Sequence, residues 1–219
     1  MTAPHKIFIR TAVFCFLAAL SVSCSLGEKD PALLLNTAIR NKDKAKVGLL
    51  LAQGVPVNTN PELGWTPLML AVMQNDGEIT DLLLNKGADI DARNRDRETP
   101  VNLAARWGKE AALDSLLKRK ANLESRDRIG WTPLMWASLR GKDAVINKLL
   151  DSGANINAMD SDNNTPLILS AWRGHTETAM LLLSRGARPA ALNRFGLDAA
   201  GVAQKNGFPD LSEKLRKLK

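Results

Sequence analysis

The sequence predicts an all-α repeat fold, a solenoid of helix-turn-helix units with four full repeats between two capping repeats. Three observations predict it. Thr66, Thr99, Thr132 and Thr165 stand 33 residues apart, and each is followed by proline. Two columns of glycine keep the same period, Gly108, Gly141, Gly174 and Gly207 in one and Gly54, Gly87, Gly153 and Gly186 in the other. Leucine pairs (Leu50-Leu51, Leu83-Leu84, Leu116-Leu117, Leu149-Leu150, Leu182-Leu183) and an alanine column (Ala38, Ala71, Ala104, Ala137, Ala203, with Ser170 in the remaining copy) run in step with them. Self-similarity at a fixed period of this length marks a stacked repeat architecture.

Each element has a physical reason. The threonine hydroxyl accepts a backbone N–H at the start of an inner helix, and proline at the first helical position sacrifices no hydrogen bond. The first glycine ends that helix in a tight turn, and an outer helix follows whose Leu-Leu pair faces the neighbouring repeats. The second glycine takes a left-handed conformation after the outer helix, and the following segment, such as Asn155 to Asp160, projects as a β-turn finger. One such unit cannot bury its own apolar face, so stacking must do it. At the first copy Asp30 and Pro31 replace Thr-Pro. At the last, Asp198-Ala199 does so, and the chain runs out through Lys214, Arg216, Lys217 and Lys219 as a solvated helix. The expected boundaries are 30–63 for the first cap, 64–96, 97–129, 130–162 and 163–195 for the full repeats, and 196–219 for the last cap. One position departs: Lys120 stands where the second glycine is expected, and a side chain in left-handed backbone costs about 1–2 kcal/mol.

The motif resembles the ankyrin repeat, a 33-residue unit with the signature T-P-L-H-x-A. Thr66-Pro67-Leu68-Met69-Leu70-Ala71, Thr132-Pro133-Leu134-Met135-Trp136-Ala137 and Thr165-Pro166-Leu167-Ile168-Leu169-Ser170 carry it, and Thr99-Pro100-Val101-Asn102-Leu103-Ala104 is the loosest copy. The histidine is absent from all four. The resemblance covers residues 30–219 and implies an ankyrin solenoid that binds other proteins.

The first residues are expected to be an address. Lys6 and Arg10 precede a short apolar run, Thr11 to Leu20, and small residues lead to Cys24. This is the three-part pattern of a secretory signal peptide over 1–23, and the run is too short for a transmembrane helix, which needs about 20 apolar residues. Its end resembles a bacterial lipoprotein signal, in which Cys24 would be lipidated. Ser23 suits the position before it, while Ser21 departs from the usual leucine and Leu20 lies one place early. Ser25 rather than aspartate implies outer-membrane sorting. Cleavage near Ser21 or Ser23 into a soluble periplasmic protein is the alternative. The tether of residues 24–29 is short; five extended residues reach at most about 18 Å.

The chain carries 30 Lys+Arg against 23 Asp+Glu, a net +7. Loss of residues 1–23 removes Lys6 and Arg10 and leaves 28 against 23, or +5. That modest excess fits an acidic partner surface or an anionic membrane. No run of five basic residues and no nucleic-acid motif accompanies it, so no nucleic acid is expected. Nor is catalysis. Beyond 1–24 there is one histidine, His175, and no cysteine, which leaves no zinc spacing and no Cys–His pair. His175 is read as a structural hydrogen-bonding residue at its repeat position. The glycines follow the repeat and not a phosphate-binding loop. Asp89, Asp91, Asp127, Asp160 and Asp162 fall at finger positions, where aspartate supports turns; the run Asp160 to Asn164 is read as turn chemistry before calcium. No cofactor, metal or small-molecule substrate is expected.

What remains is a surface. In the family the resemblance implies, finger and inner-helix positions line a concave groove that meets partners. Here these are the residue before each threonine and those seven and eight after it. The first set is Trp65, Glu98, Trp131 and Asn164. The second is Met73-Gln74, Arg106-Trp107, Leu139-Arg140 and Trp172-Arg173. Fingers add Arg95 and Arg128, with Ile129 and Met159. Four of the five tryptophans fall at groove positions, and Trp and Arg are the residues enriched at binding hot spots. Trp136 occupies a position held elsewhere by Leu70, Leu103 and Leu169 and is expected in the core. The reading is a protein-binding scaffold of the cell envelope, either an immunity protein against a periplasm-acting toxin or an accessory to an envelope or stress-defence enzyme, with an anchoring role as a third possibility.

Overall fold

The helices start where the caps are. In the computed structural model, which describes residues 30–59 and 64–218, α1 (Pro31–Arg40) opens behind Asp30, whose carboxylate accepts the Ala32 N–H at 2.9 Å. The next four inner helices are α3 (Pro67–Met73), α5 (Pro100–Trp107), α7 (Pro133–Leu139) and α9 (Pro166–Trp172). Each follows its threonine, held in extended backbone with Oγ1 accepting the N–H three residues on, at 3.3 Å in three cases and 3.5 Å for Thr99. The last inner helix, α11 (Ala199–Lys205), opens behind Asp198, which accepts from Gly201 at 2.7 Å. Outer helices α2 (Lys44–Ala52), α4 (Gly77–Asn85), α6 (Glu110–Lys118), α8 (Asp143–Asp151), α10 (Thr176–Ser184) and α12 (Pro209–Arg216) return antiparallel to them. The described residues hold these twelve helices and no strand. The expected signal peptide, the expected tether and Cys24 lie outside the described residues.

Inner helices pack on inner helices and outer on outer, so the core is a continuous slab between the two layers. Leu83, Leu116, Leu149 and Leu182, the first members of their pairs, are fully buried there, beside the alanine column. Neighbouring repeats are also stitched at the finger roots. The side chains of Asn58, Asp91, Glu124 and Asn157 accept the N–H of Asp89, Asn122, Asn155 and Arg188 in the next repeat, at 2.9–3.1 Å. On the inner-to-outer turns, Asn75 reaches forward and caps α6 of the following repeat through Ala111 and Ala112. At the amino end Lys44 and Glu78 share an exposed 2.6 Å ion pair. The hydrogen bond, then the charge attraction, raises the Lys44 pKa and lowers that of Glu78. Its small contribution is therefore present above the unfolded carboxyl value and is lost as pH falls through the lowered Glu78 value.

Lys120 is indeed left-handed, φ 58°, in the column where Gly54, Gly87, Gly153 and Gly186 have φ 84–94°. Lys120→Gly should stabilise the protein by about 0.5–1 kcal/mol, the relieved strain less the extra freedom glycine has when unfolded. A urea midpoint that falls instead would show that the lysine side chain contributes more than its backbone costs. The structure adds further such positions, unread in the sequence: Lys42 and Asn75, φ 55° and 53°, stand in the column of Gly108, and Arg97, φ 61°, stands in a finger column otherwise filled by Gly64, Gly130, Asn163 and Gly196. Among the described residues no helix is long and apolar enough to cross a membrane.

Candidate functional site

The fingers are shaped by one column of side chains, Asn94, Asp127, Asp160 and Asn193. In each, one oxygen accepts the backbone N–H groups two and four residues on, at 2.8–3.1 Å, folding the turn around itself. The second side-chain atom explains why some members are Asp and others Asn. Asp127 Oδ2 accepts the indole N–H of Trp136 at 2.7 Å, and Asp160 Oδ2 accepts that of Trp131 at 2.9 Å. Asn94 and Asn193 face acceptors instead, and their amides donate to Glu98 Oε2 at 3.0 Å and Asn164 Oδ1 at 3.3 Å. A donor partner calls for a carboxylate and an acceptor partner for an amide.

These anchored indoles begin a row of stacked groups. Trp131 and Trp136 meet edge to face with centroids 4.7 Å apart. The Arg106 guanidinium lies 4.1 Å over Trp136 and 5.3 Å from Trp107, and Arg140 lies 5.5 Å from the Trp107 ring. Arg106 is further fixed by Glu98 Oε1 at 2.6 Å. Such contacts are worth about 0.5–2 kcal/mol each, more where water is excluded.

The row divides the sequence-predicted groove residues. Trp107 and Trp172 are 45% and 46% exposed, and Arg95, Arg128, Arg140 and Arg173 are exposed as well. Trp65, Met73 and Trp131 are half-buried, the first two against the main core and Trp131 against a second, smaller cluster around Met135 and Trp136. Two expectations are corrected. Leu139 is only 6% exposed, because the bulk of Trp136 fills the finger side of α7 and closes over it. Glu98 is only 4% exposed and serves Asn94 and Arg106, since a carboxylate at that place is drawn inward by two donors. Trp136 is in the core, as expected.

Two concavities remain. Arg106, Trp107, Arg140 and Arg173 surround a depression of about 530 Å³ with Lys142 and His175, over a floor of Leu139. Arg128, Trp131 and Trp172 line a cleft of about 630 Å³ with Ile129, Phe195 and Lys205. Trp65, Met73 and Arg95 border neither. Phe195, 63% exposed and flanked by Arg194 at 4.7 Å and Lys205 at 5.9 Å, was missed because it is the last residue of its repeat, at the edge of the cap; its register with Ile129 was the available signal. His175 plays the structural part expected of it. Its Nε2 lies 3.1 Å from the Leu139 carbonyl and its ring covers Gly141. Among the described residues no group of three His, Cys, Asp or Glu could hold a metal, and both Asp160 oxygens are engaged in the turn and with Trp131 and Asn164.

The family model for ankyrin repeats (three copies) matches residues 15–94, 34–127, 81–160 and 103–193. The chain belongs to the ankyrin-repeat family. The structure is similar to that of an ankyrin repeat domain from Acinetobacter baumannii AYE, with 26% identity, a TM-score of 0.76, and coverage of 84% of this chain and 96% of that one. No curated protein matches. As an ankyrin-repeat protein the chain is a protein-binding scaffold, of a family that is in general not enzymatic.

Proposed function

We propose that this ankyrin protein is an envelope scaffold that holds a partner protein through the concave surface of its third to fifth repeats and the cap behind them. The observation that carries the reading is the pairing of exposed aromatics with cations that have no ion pair among the described residues, on one surface. Trp107, Trp172 and Phe195 expose 45–63% of their area there, and Arg128, Arg140 and Arg173 stand beside them. Leaving three large rings in water has a cost that a partner would remove. The signal-like start supports the periplasm, with Cys24 as a lipid anchor to the outer membrane. Capture of a periplasm-acting toxin and support of an envelope enzyme both fit, and tight one-to-one binding to a toxin would separate them.

The test is affinity capture from envelope and secreted fractions with crosslinking, with Trp107→Ala/Trp172→Ala alongside. Neither indole has a hydrogen-bond partner among the described residues and both rings lie outside the core, so the variant should stay folded and lose only what Arg106 and Arg140 gain from stacking on Trp107. Its capture of the dominant partner should fall about tenfold or more. Equal capture by both proteins would move the site off this surface.

A further inference from the structure

The depression and the cleft differ in chemistry, and the difference identifies what they hold. The depression is lined by Arg106, Arg140, Lys142 and Arg173 with no carboxylate among its lining residues. Arg106 is already paired with Glu98. Among the described residues, none of Arg140, Lys142 and Arg173 has an ion pair, although seven ion pairs form elsewhere among them. Three like charges are gathered where no carboxylate among the described residues pairs with them, Arg140 and Arg173 at the carboxyl ends of α7 and α9 and Lys142 at the start of α8. Arg140 is held against the face of Trp107, and a stacked guanidinium keeps its N–H edge open for a planar oxyanion. The cleft is different: its apolar walls are Ile129, Trp172 and Phe195, 46–63% exposed.

Trp172 and Arg173 are consecutive residues, and one borders the cleft while the other borders the depression. A single short segment can therefore engage both. Spacing also limits the ligand. Arg140 and Arg173 hold the same position in successive repeats, and packed helices stand about 8–10 Å apart. An extended chain covers that distance in about three residues, and in the polyproline conformation residues three apart share a face.

We infer that the groove accepts an extended, acidic segment of the partner polypeptide, with carboxylates about three residues apart in the depression and one bulky apolar side chain in the cleft. This rests on the protein-binding reading above. A polynucleotide fits less well, because its phosphates continue at every step while in the cleft the cations Arg128 and Lys205 are interrupted by aromatic walls and by Asp160 and Asp162.

The experiment pans a random-peptide phage library against the full chain, against Arg140→Gln/Arg173→Gln, and against Trp172→Ala/Phe195→Ala. Single-stranded DNA and inorganic polyphosphate are titrated in parallel. The wild type should enrich sequences that pair two acidic residues with a large apolar one. The best of these, made as a synthetic peptide, should bind the Arg140→Gln/Arg173→Gln protein about tenfold or more weakly and lose most of its salt dependence. The Trp172→Ala/Phe195→Ala protein should keep the acidic preference and lose the apolar one. Enrichment without acidic bias, or an acidic bias that survives loss of both arginines, overturns the inference. So does an absence of enrichment, or DNA or polyphosphate binding more tightly than any peptide. If peptides of another composition are enriched and lost in the aromatic variant, the groove remains a protein site and only the acidic segment falls. A partner captured equally by the tryptophan variant of the preceding test instead refutes the groove itself.

Discussion

Asp127→Ala should lower stability by about 2–4 kcal/mol, more than any other single loss of a finger side chain. Asp127 is buried, and its two oxygens take the N–H groups of Ile129 and Trp131 and the indole N–H of Trp136. Alanine leaves the last two donors unpaired in or near the small core cluster. A buried donor without a partner costs about 1–3 kcal/mol, and bonds to a carboxylate are at the strong end of their kind. Asp127→Asn is the informative control. It keeps the turn, as Asn94 and Asn193 do in their own fingers, but turns an amide toward the Trp136 indole. It should fall between the wild type and alanine in a thermal melt. An Asn variant as unstable as Ala would mean that the fold needs the charge itself. An Ala variant within 0.5 kcal/mol of the wild type would mean that water takes over the bonds.

Gly174→Ala should cost about 2–4 kcal/mol for a different reason. Gly174 is left-handed, φ 71°, and a Cβ there would lie 2.4 Å from the Phe208 ring that joins α11 to α12. Backbone strain accounts for about 1–2 kcal/mol and the forced shift of a packed ring for the rest. The same column supplies the calibration. At Gly207 a Cβ would meet open space, and at Gly141 it would press on the His175 ring at 3.1 Å. Denaturant midpoints should therefore rank Gly207→Ala mildest, Gly141→Ala next and Gly174→Ala worst. Gly174→Ala with Phe208→Ala should be less damaging than the two effects added. Equal losses across the column would leave the clash with no role.

The frame of this protein was legible because it repeats. Thr66 to Thr165 mark helix starts by a local bond to the third residue on, and both glycine columns mark obligatory left-handed turns; such signals act within a few residues and need no tertiary context. The site was legible in its members more than in its arrangement. Trp107, Trp172, Arg140 and Arg173 are exposed at the positions the period assigns to them. Leu139 and Glu98 were misplaced because a column position fixes direction but not depth. What buries Leu139 is the size of Trp136, and what draws Glu98 inward is Arg106, eight residues on. The bond from Trp136 to Asp127 crosses from one repeat to the one before it, and no pattern inside a single repeat contains it. Arg97 escaped notice because its column is only partly glycine, and asparagine at Asn163 blurred it further.

The stitches at the finger roots have a consequence for how such a protein can change over generations. Asn58, Asp91, Glu124 and Asn157 each reach only to the repeat that follows, so a duplicated or deleted 33-residue unit would restore every link at its two new junctions. The array can lengthen or shorten its reach along a partner without redesign of its ends. The Trp–Arg row breaks that freedom. Trp136 depends on Asp127 and Arg106 depends on Trp136, so repeats three and four are inherited as one piece, and the interchangeable units are those outside it.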